Sequence, residues 1–88
     1  MKDIEIIPLA ERKLARRGIS REWVVETIRT PDQVVEGYGG RAVAQRRYRV
    51  RAKDMLLRVV YDETEQQYVV VTAYLTSAVT RYWKGSGR

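Results

Sequence analysis

The sequence predicts an α+β domain in which helices come first and an antiparallel sheet follows. Two observations predict it. Apolar residues recur at helical spacing between Ile7 and Ile28, and from Val34 onward the chain breaks into apolar, β-branched runs separated by short polar turns. Those turns are too short for parallel crossovers, which points to a meander. With 88 residues there is room for one modest core. Residues 1–84 are read as a single domain and 85–88 as a flexible tail.

The first helix carries Ile7, Ala10 and Leu14 at helical spacing. Pro8 suits its first turn, where a missing N–H costs nothing, and Gly18 sits where a left-handed cap would end it. Ser20 is a good N-cap for a second helix, with Glu22 in its first turn. Val24 and Ile28 lie one turn apart and face the core with Ile19. Thr30-Pro31 ends the helix, because the residue before proline avoids the α region.

The second half is read as strands. Val34-Val35 begins a short one, and Gly37-Tyr38-Gly39-Gly40 is a loop. Strands follow over 42–51, 55–61 and 67–75, with turns at 52–54 and 62–66. Thr76 or Ser77 caps a last short helix through Arg81, Tyr82 and Trp83. The sheet therefore has three to four strands, all antiparallel. The runs Leu56-Leu57-Arg58-Val59-Val60 and Val69-Val70-Val71 are apolar on nearly every residue, the mark of strands covered on both faces. The two early helices cover one face. The other needs the C-terminal helix, a dimer mate or a partner protein.

Composition narrows the chemistry. Seventeen Lys and Arg against eleven Asp and Glu give a net charge of +6. Such an excess attracts polyanions and is the electrostatic footprint of nucleic-acid binders. The chain has no cysteine and no histidine. Disulfides, thiolate nucleophiles, imidazole bases and the usual zinc sites are excluded. No metal or cofactor is expected. No apolar stretch reads as a signal peptide or membrane span, so the expected location is the cytoplasm.

Three places could carry function. In Arg46-Arg47-Tyr48-Arg49-Val50-Arg51 the alternation of a strand puts Arg47, Arg49 and Arg51 on one face. Spaced about 6.6–6.8 Å apart, they could track phosphates. The bland alternative is a solvated face with arginines paired to acids, of which Asp54 is near in sequence. Arg12 and Arg16 share one face of the first helix, beside Lys13 and Arg17, although any amphipathic helix needs a charged side. Thr72, Tyr74 and Thr76 share a strand face, with Arg81-Tyr82 following. Tyrosine can stack on a base or donate a proton, and arginine can stabilise a phosphorane. Trp23 and Trp83 are read as packing residues.

The runs Ala10-Glu11-Arg12-Lys13-Leu14-Ala15-Arg16-Arg17-Gly18-Ile19-Ser20 and Val70-Val71-Thr72-Ala73-Tyr74-Leu75-Thr76-Ser77 resemble a bacterial family of small uncharacterised domains related to RelE-like and BrnT-like toxins. The resemblance also takes in Pro31-Asp32, Val35-Glu36-Gly37, Leu56 to Val60 and Arg81-Tyr82, nearly the whole chain. It implies a RelE-like fold and a toxin-type endoribonuclease, acting on RNA free or on the ribosome and neutralised by an acidic antitoxin. Many members carry a histidine at the start of the first helix, where this sequence has Leu9. RNA cleavage does not require one, because the 2′-hydroxyl is an internal nucleophile and positioning supplies much of the rate. The resemblance and the residues together assign phosphate binding to Arg47, Arg49 and Arg58, with Arg12, Arg16 and Arg51 as further contacts. Lys53 or Tyr74 would move a proton and Arg81 would stabilise charge. Whether Arg58 shares a face with Arg47 depends on strand register. The competing readings are a non-catalytic RNA- or DNA-binding module and a protein-interaction domain, including a homodimer.

Overall fold

The computed structural model describes residues 2–85. The chain runs β1 (Asp3–Ile6), α1 (Pro8–Arg17), α2 (Arg21–Arg29), β2 (Gln33–Glu36), a 3₁₀ turn (Tyr38–Gly40), β3 (Ala42–Val50), β4 (Lys53–Glu63), β5 (Gln67–Thr76) and α3 (Val79–Tyr82). The last three residues of the expected tail, 86–88, lie outside the described residues.

The helices form where local chemistry demands them. Pro8 opens α1, and Gly18 closes it at φ 68°, its N–H donating to Ala15 O while Ile19 N reaches Leu14 O. Ser20 caps α2 by accepting from the Trp23 N–H at 3.1 Å. The backbone N–H of Thr30 makes the last helical bond, to Glu26 O, before Pro31.

The sheet has five strands in the order β1-β5-β4-β3-β2. β2 through β5 form the expected antiparallel meander. The expected count of three to four antiparallel strands is corrected by β1, which pairs parallel with β5 from Asp3↔Gln67 to Ile6↔Val70. The crossover that a parallel pair needs is the whole intervening chain, from α1 through β4. Ile4 and Ile6 point inward in strand alternation, and Ile6 joins the core. Lys2 holds the strand's start by bonding the Glu63 carboxylate and the Thr64 carbonyl.

Helices α1 and α2 cover one face. Ala10, Leu14, Ile19, Val24 and Ile28 meet Leu57, Val59, Val70 and Ala73 there in one buried cluster. At about 25 cal/mol per Å² of apolar surface removed from water, this cluster is the main stabilising term. Arg46 and Tyr48 share this face, as strand alternation requires. Trp23 of α2 stacks on Tyr48 with centroids 4.1 Å apart, and Tyr48 Oη donates to Glu26 Oε1 at 2.6 Å. Trp23 is therefore a packing residue.

Two boundaries differ from expectation. The hairpin between β3 and β4 turns at Arg51-Ala52, closed by the Val50↔Lys53 pair, and not at 52–54. Both turn residues have positive φ, 53° and 64°. A two-residue hairpin of this hand requires that conformation, although side chains cost about 1–2 kcal/mol per residue in it. The C-terminal helix starts at Val79 with no side-chain cap, while Thr76 Oγ1 accepts from the Ala78 N–H at 3.0 Å.

Ala52→Gly should relieve the turn and raise stability by about 1 kcal/mol, about 4–8 °C in thermal melting for a domain of this size. A second expectation concerns alkali. Burial, and the Glu26 hydrogen bond next, push the Tyr48 phenol above its usual 10.0; burial, then Glu63, does the same to Tyr61. Below pH 10 both are neutral in either state, so their contribution is complete. Above it the unfolded chain ionises first, and stability falls as pH rises toward the folded values. Urea midpoints across that range should show the decline, and Tyr48→Phe should remove part of it.

Candidate functional site

The helix-free face carries a row of polar side chains across four strands. Register places Gln33 beside Gln45, Gln45 beside Arg58, and Arg58 beside Tyr74. Their side chains bond in the same order. Gln45 Nε2 donates to Gln33 Oε1 at 2.9 Å, Arg58 Nε donates to Gln45 Oε1 at 2.6 Å, and Arg58 Nη1 donates to the Tyr74 hydroxyl. Gln45 is fully buried, with no exposed surface. Such a burial is tolerated only when every polar atom has a partner, and here each does.

The same row holds the C-terminal segment on the sheet. Gln33 Nε2 donates to Lys84 O at 2.8 Å, and the Lys84 N–H donates back to Gln33 Oε1 at 2.9 Å. The side-chain amide thus pairs with a residue's backbone as a strand would. Gln45 Nε2 also reaches Tyr82 O at 3.3 Å. The Arg58 guanidinium lies 4.1 Å from the Tyr82 ring centroid, and Arg47 lies 4.3 Å from that of Trp83. Contacts of this kind contribute about 0.5–2 kcal/mol each. Arg81 is 5.5 Å from the Tyr82 ring.

This segment covers the upper part of the face and leaves the lower part open. There a concavity of about 470 Å³ is lined by Arg58, Tyr74, Thr72, Arg41 and Glu36, with Tyr38 on its rim. Valine side chains of β3, β4 and β5 form its apolar floor. Gly37 lets the loop lie against them, since a Cβ there would sit 2.6 Å from Val43 Cγ2. Arg41 is held by both oxygens of Asp62, at 3.2 and 3.3 Å. Arg58 has no carboxylate partner among the described residues. A half-buried cation neutralised by no acid keeps its positive charge available to the concavity. Tyr74 accepts from Arg58, so its own O–H remains free to donate.

The sequence-predicted residues divide sharply. Arg58 and Tyr74 meet in a hydrogen bond, and register puts Arg58 on the same face as Arg47. Arg47 lies over the Trp83 ring and Arg81 near the ring of its neighbour Tyr82, and neither lines the concavity. Arg49 shares the face but bonds Asp54 and Ala52 O, each at 3.0 Å, the bland alternative for that position. Arg51 does not extend the row of Arg47 and Arg49, because it lies in the hairpin turn. Lys53 is exposed at the start of β4, five positions from Arg58, about 17 Å along a strand. It lies outside the concavity. Arg12 and Arg16 are exposed on α1, on the opposite side of the sheet. Their neighbour Arg17 reaches back to Ala73 O at 2.8 Å.

Sequence reasoning missed Gln33, Gln45, Glu36, Arg41 and Tyr38. A glutamine between Ala44 and Arg46 reads as surface alternation, and only register shows its three partners. Glu36 and Arg41 flank a glycine-rich loop, which was legible only as a loop.

The chain belongs to the family described as a domain of unknown function, DUF4258, whose model matches residues 10–75. That span contains the whole Gln33–Gln45–Arg58–Tyr74 row and ends before Arg81. No curated protein and no solved structure matches the chain. Among the described residues no helix is long and apolar enough to cross a membrane.

Gln45→Leu should leave Arg58 Nε and Tyr82 O without their partner and destabilise the domain by about 1–3 kcal/mol. Hydrogen exchange should show the largest loss of protection at the Lys84 and Trp83 amides, the segment the row retains.

Proposed function

We propose that this protein is a toxin-type endoribonuclease of RelE-like character that cleaves RNA at the helix-free sheet face. The observation that carries the reading is the Arg58–Tyr74 pair: a cation without an acid partner among the described residues, hydrogen-bonded to a phenol whose proton is free, in an open concavity. The net charge of +6, and Arg47 on the same sheet face, favour a polyanion as substrate.

The chemistry uses the RNA's own nucleophile. The 2′-oxygen attacks the adjacent phosphorus, and its proton passes to solvent water. Arg58 neutralises the charge that builds on the non-bridging oxygens. The P–O5′ bond breaks, and Tyr74 gives its proton to the departing 5′-oxygen. The products are a 2′,3′-cyclic phosphate and a 5′-hydroxyl. Arg58 stabilises the phenolate until water reprotonates it. An acidic antitoxin that masks this face, and a site of action on the ribosome, belong to the same reading.

The test is cleavage of single-stranded RNA, with and without ribosomes, and mass analysis of the new ends. Cyclic phosphate ends are expected, and none from RNA with a 2′-deoxy residue at the scissile position. Tyr74→Phe, which keeps the ring, should slow cleavage about 10²–10⁴-fold, and Arg58→Ala should lose both binding and cleavage. Salt-dependent RNA binding by folded protein without new ends in either condition would overturn the nuclease and leave a nucleic-acid-binding module.

A further inference from the structure

Tyr38 has 99% of its surface exposed. Every other aromatic side chain among the described residues is buried or half-buried. Tyrosine is ordinarily intermediate in burial, so a fully presented ring is unusual. The backbone beneath the ring is held in place. Gly37 N–H donates to Arg41 O at 2.7 Å across the loop, and the Arg41 side chain is pinned by Asp62. Gly39 and Gly40 take φ of 73° and 78°, turns that side chains resist. Gly37 packs against Val43 so closely that a side chain would not fit. The loop presents the ring from an ordered backbone on the rim of the concavity whose wall holds Arg58.

We infer that Tyr38 is a stacking platform for one unstacked base of single-stranded RNA whose phosphate is held at Arg58. The inference rests on the RNA-directed reading above and adds the substrate's form. Both faces of the ring are open to solvent, so a base can cover either. Aromatic stacking accepts any base, because every base has a π-face. A duplex offers none, because its bases are already stacked. The site therefore selects single strands without selecting sequence. Because the loop is pre-ordered, little conformational freedom is lost when the base docks.

The test uses a fluorescein-labelled hexanucleotide with 2′-O-methyl groups throughout, which cannot be cleaved. Affinity is read by anisotropy. Tyr38→Ala should weaken binding about 10-fold, with an unchanged melting temperature, and Tyr38→Trp should restore it. A single abasic residue, moved along the hexanucleotide, should weaken binding to the unaltered protein at one position and have no effect there on Tyr38→Ala. Affinity for a duplex of the same length should not change.

Tyr38→Ala binding as tightly as the unaltered protein, while Arg58→Ala binds weakly, would overturn the platform and leave the Arg58 site intact. An equal loss on single strand and duplex would also overturn it, since the ring would then act on the backbone. No RNA binding by the unaltered protein, or full binding by Arg58→Ala, would refute the site and the platform together.

Discussion

Arg58 is charged, half-buried and without a carboxylate partner among the described residues, and much of the helix-free face is arranged around that fact. A guanidinium in such a place must have its donors satisfied by neutral acceptors. Gln45 takes one, Tyr74 another, and Tyr82 covers the plane of the group. Gln45 in turn must be satisfied because it is fully buried, and Gln33 completes it. The row therefore sets both the orientation of the cation and the seat of the C-terminal segment. A carboxylate in place of Gln45 would have held Arg58 as well, but would have cancelled its charge.

The two faces of the sheet divide the work. The face under α1 and α2 buries aliphatic side chains and supplies stability. The opposite face carries Arg58, Tyr74 and Arg47 and stays partly open, because α3 is a single turn and covers only the upper strands. Most of the other basic residues are occupied by partners or lie remote from the concavity. Arg49 is held by Asp54, Arg46 lies beside Glu26 and Thr30, and Arg17 caps a strand carbonyl. Net charge alone would not have distinguished these from the cations that face the concavity.

What could be read from the sequence was local. Gly18, Ser20 and Thr30-Pro31 act through contacts within a few residues, and the helix limits followed from them. The apolar runs of β4 and β5 correctly marked central strands. The parallel β1–β5 pair was not legible, because its two strands lie at opposite ends of the chain and four residues of alternation carry little signal. The same limit applied to the site. Arg58 and Tyr74 could be named as residue types suited to phosphate chemistry, but their adjacency depends on the β4–β5 register. That register includes an irregularity between Val60 and Tyr61, which no periodicity reports. Lys53 looked equally suitable and lies far along the strand.

The parallel pairing of β1 has a bearing on how the chain is made. Its partner residues, up to Val70, are made several seconds after Ile6 at about 5–20 residues per second. Until then Ile4 and Ile6 have no strand to join, and the core beneath α1 lacks Val70 and Ala73. The final assembly step is thus a long-range closure, the kind that makes folding slow. The domain reaches its complete fold only when nearly its whole length is free. Arg58 is translated earlier but acquires Tyr74 and its C-terminal cover at that same late moment, so the arrangement around the cation arises only once β5 and α3 have been made.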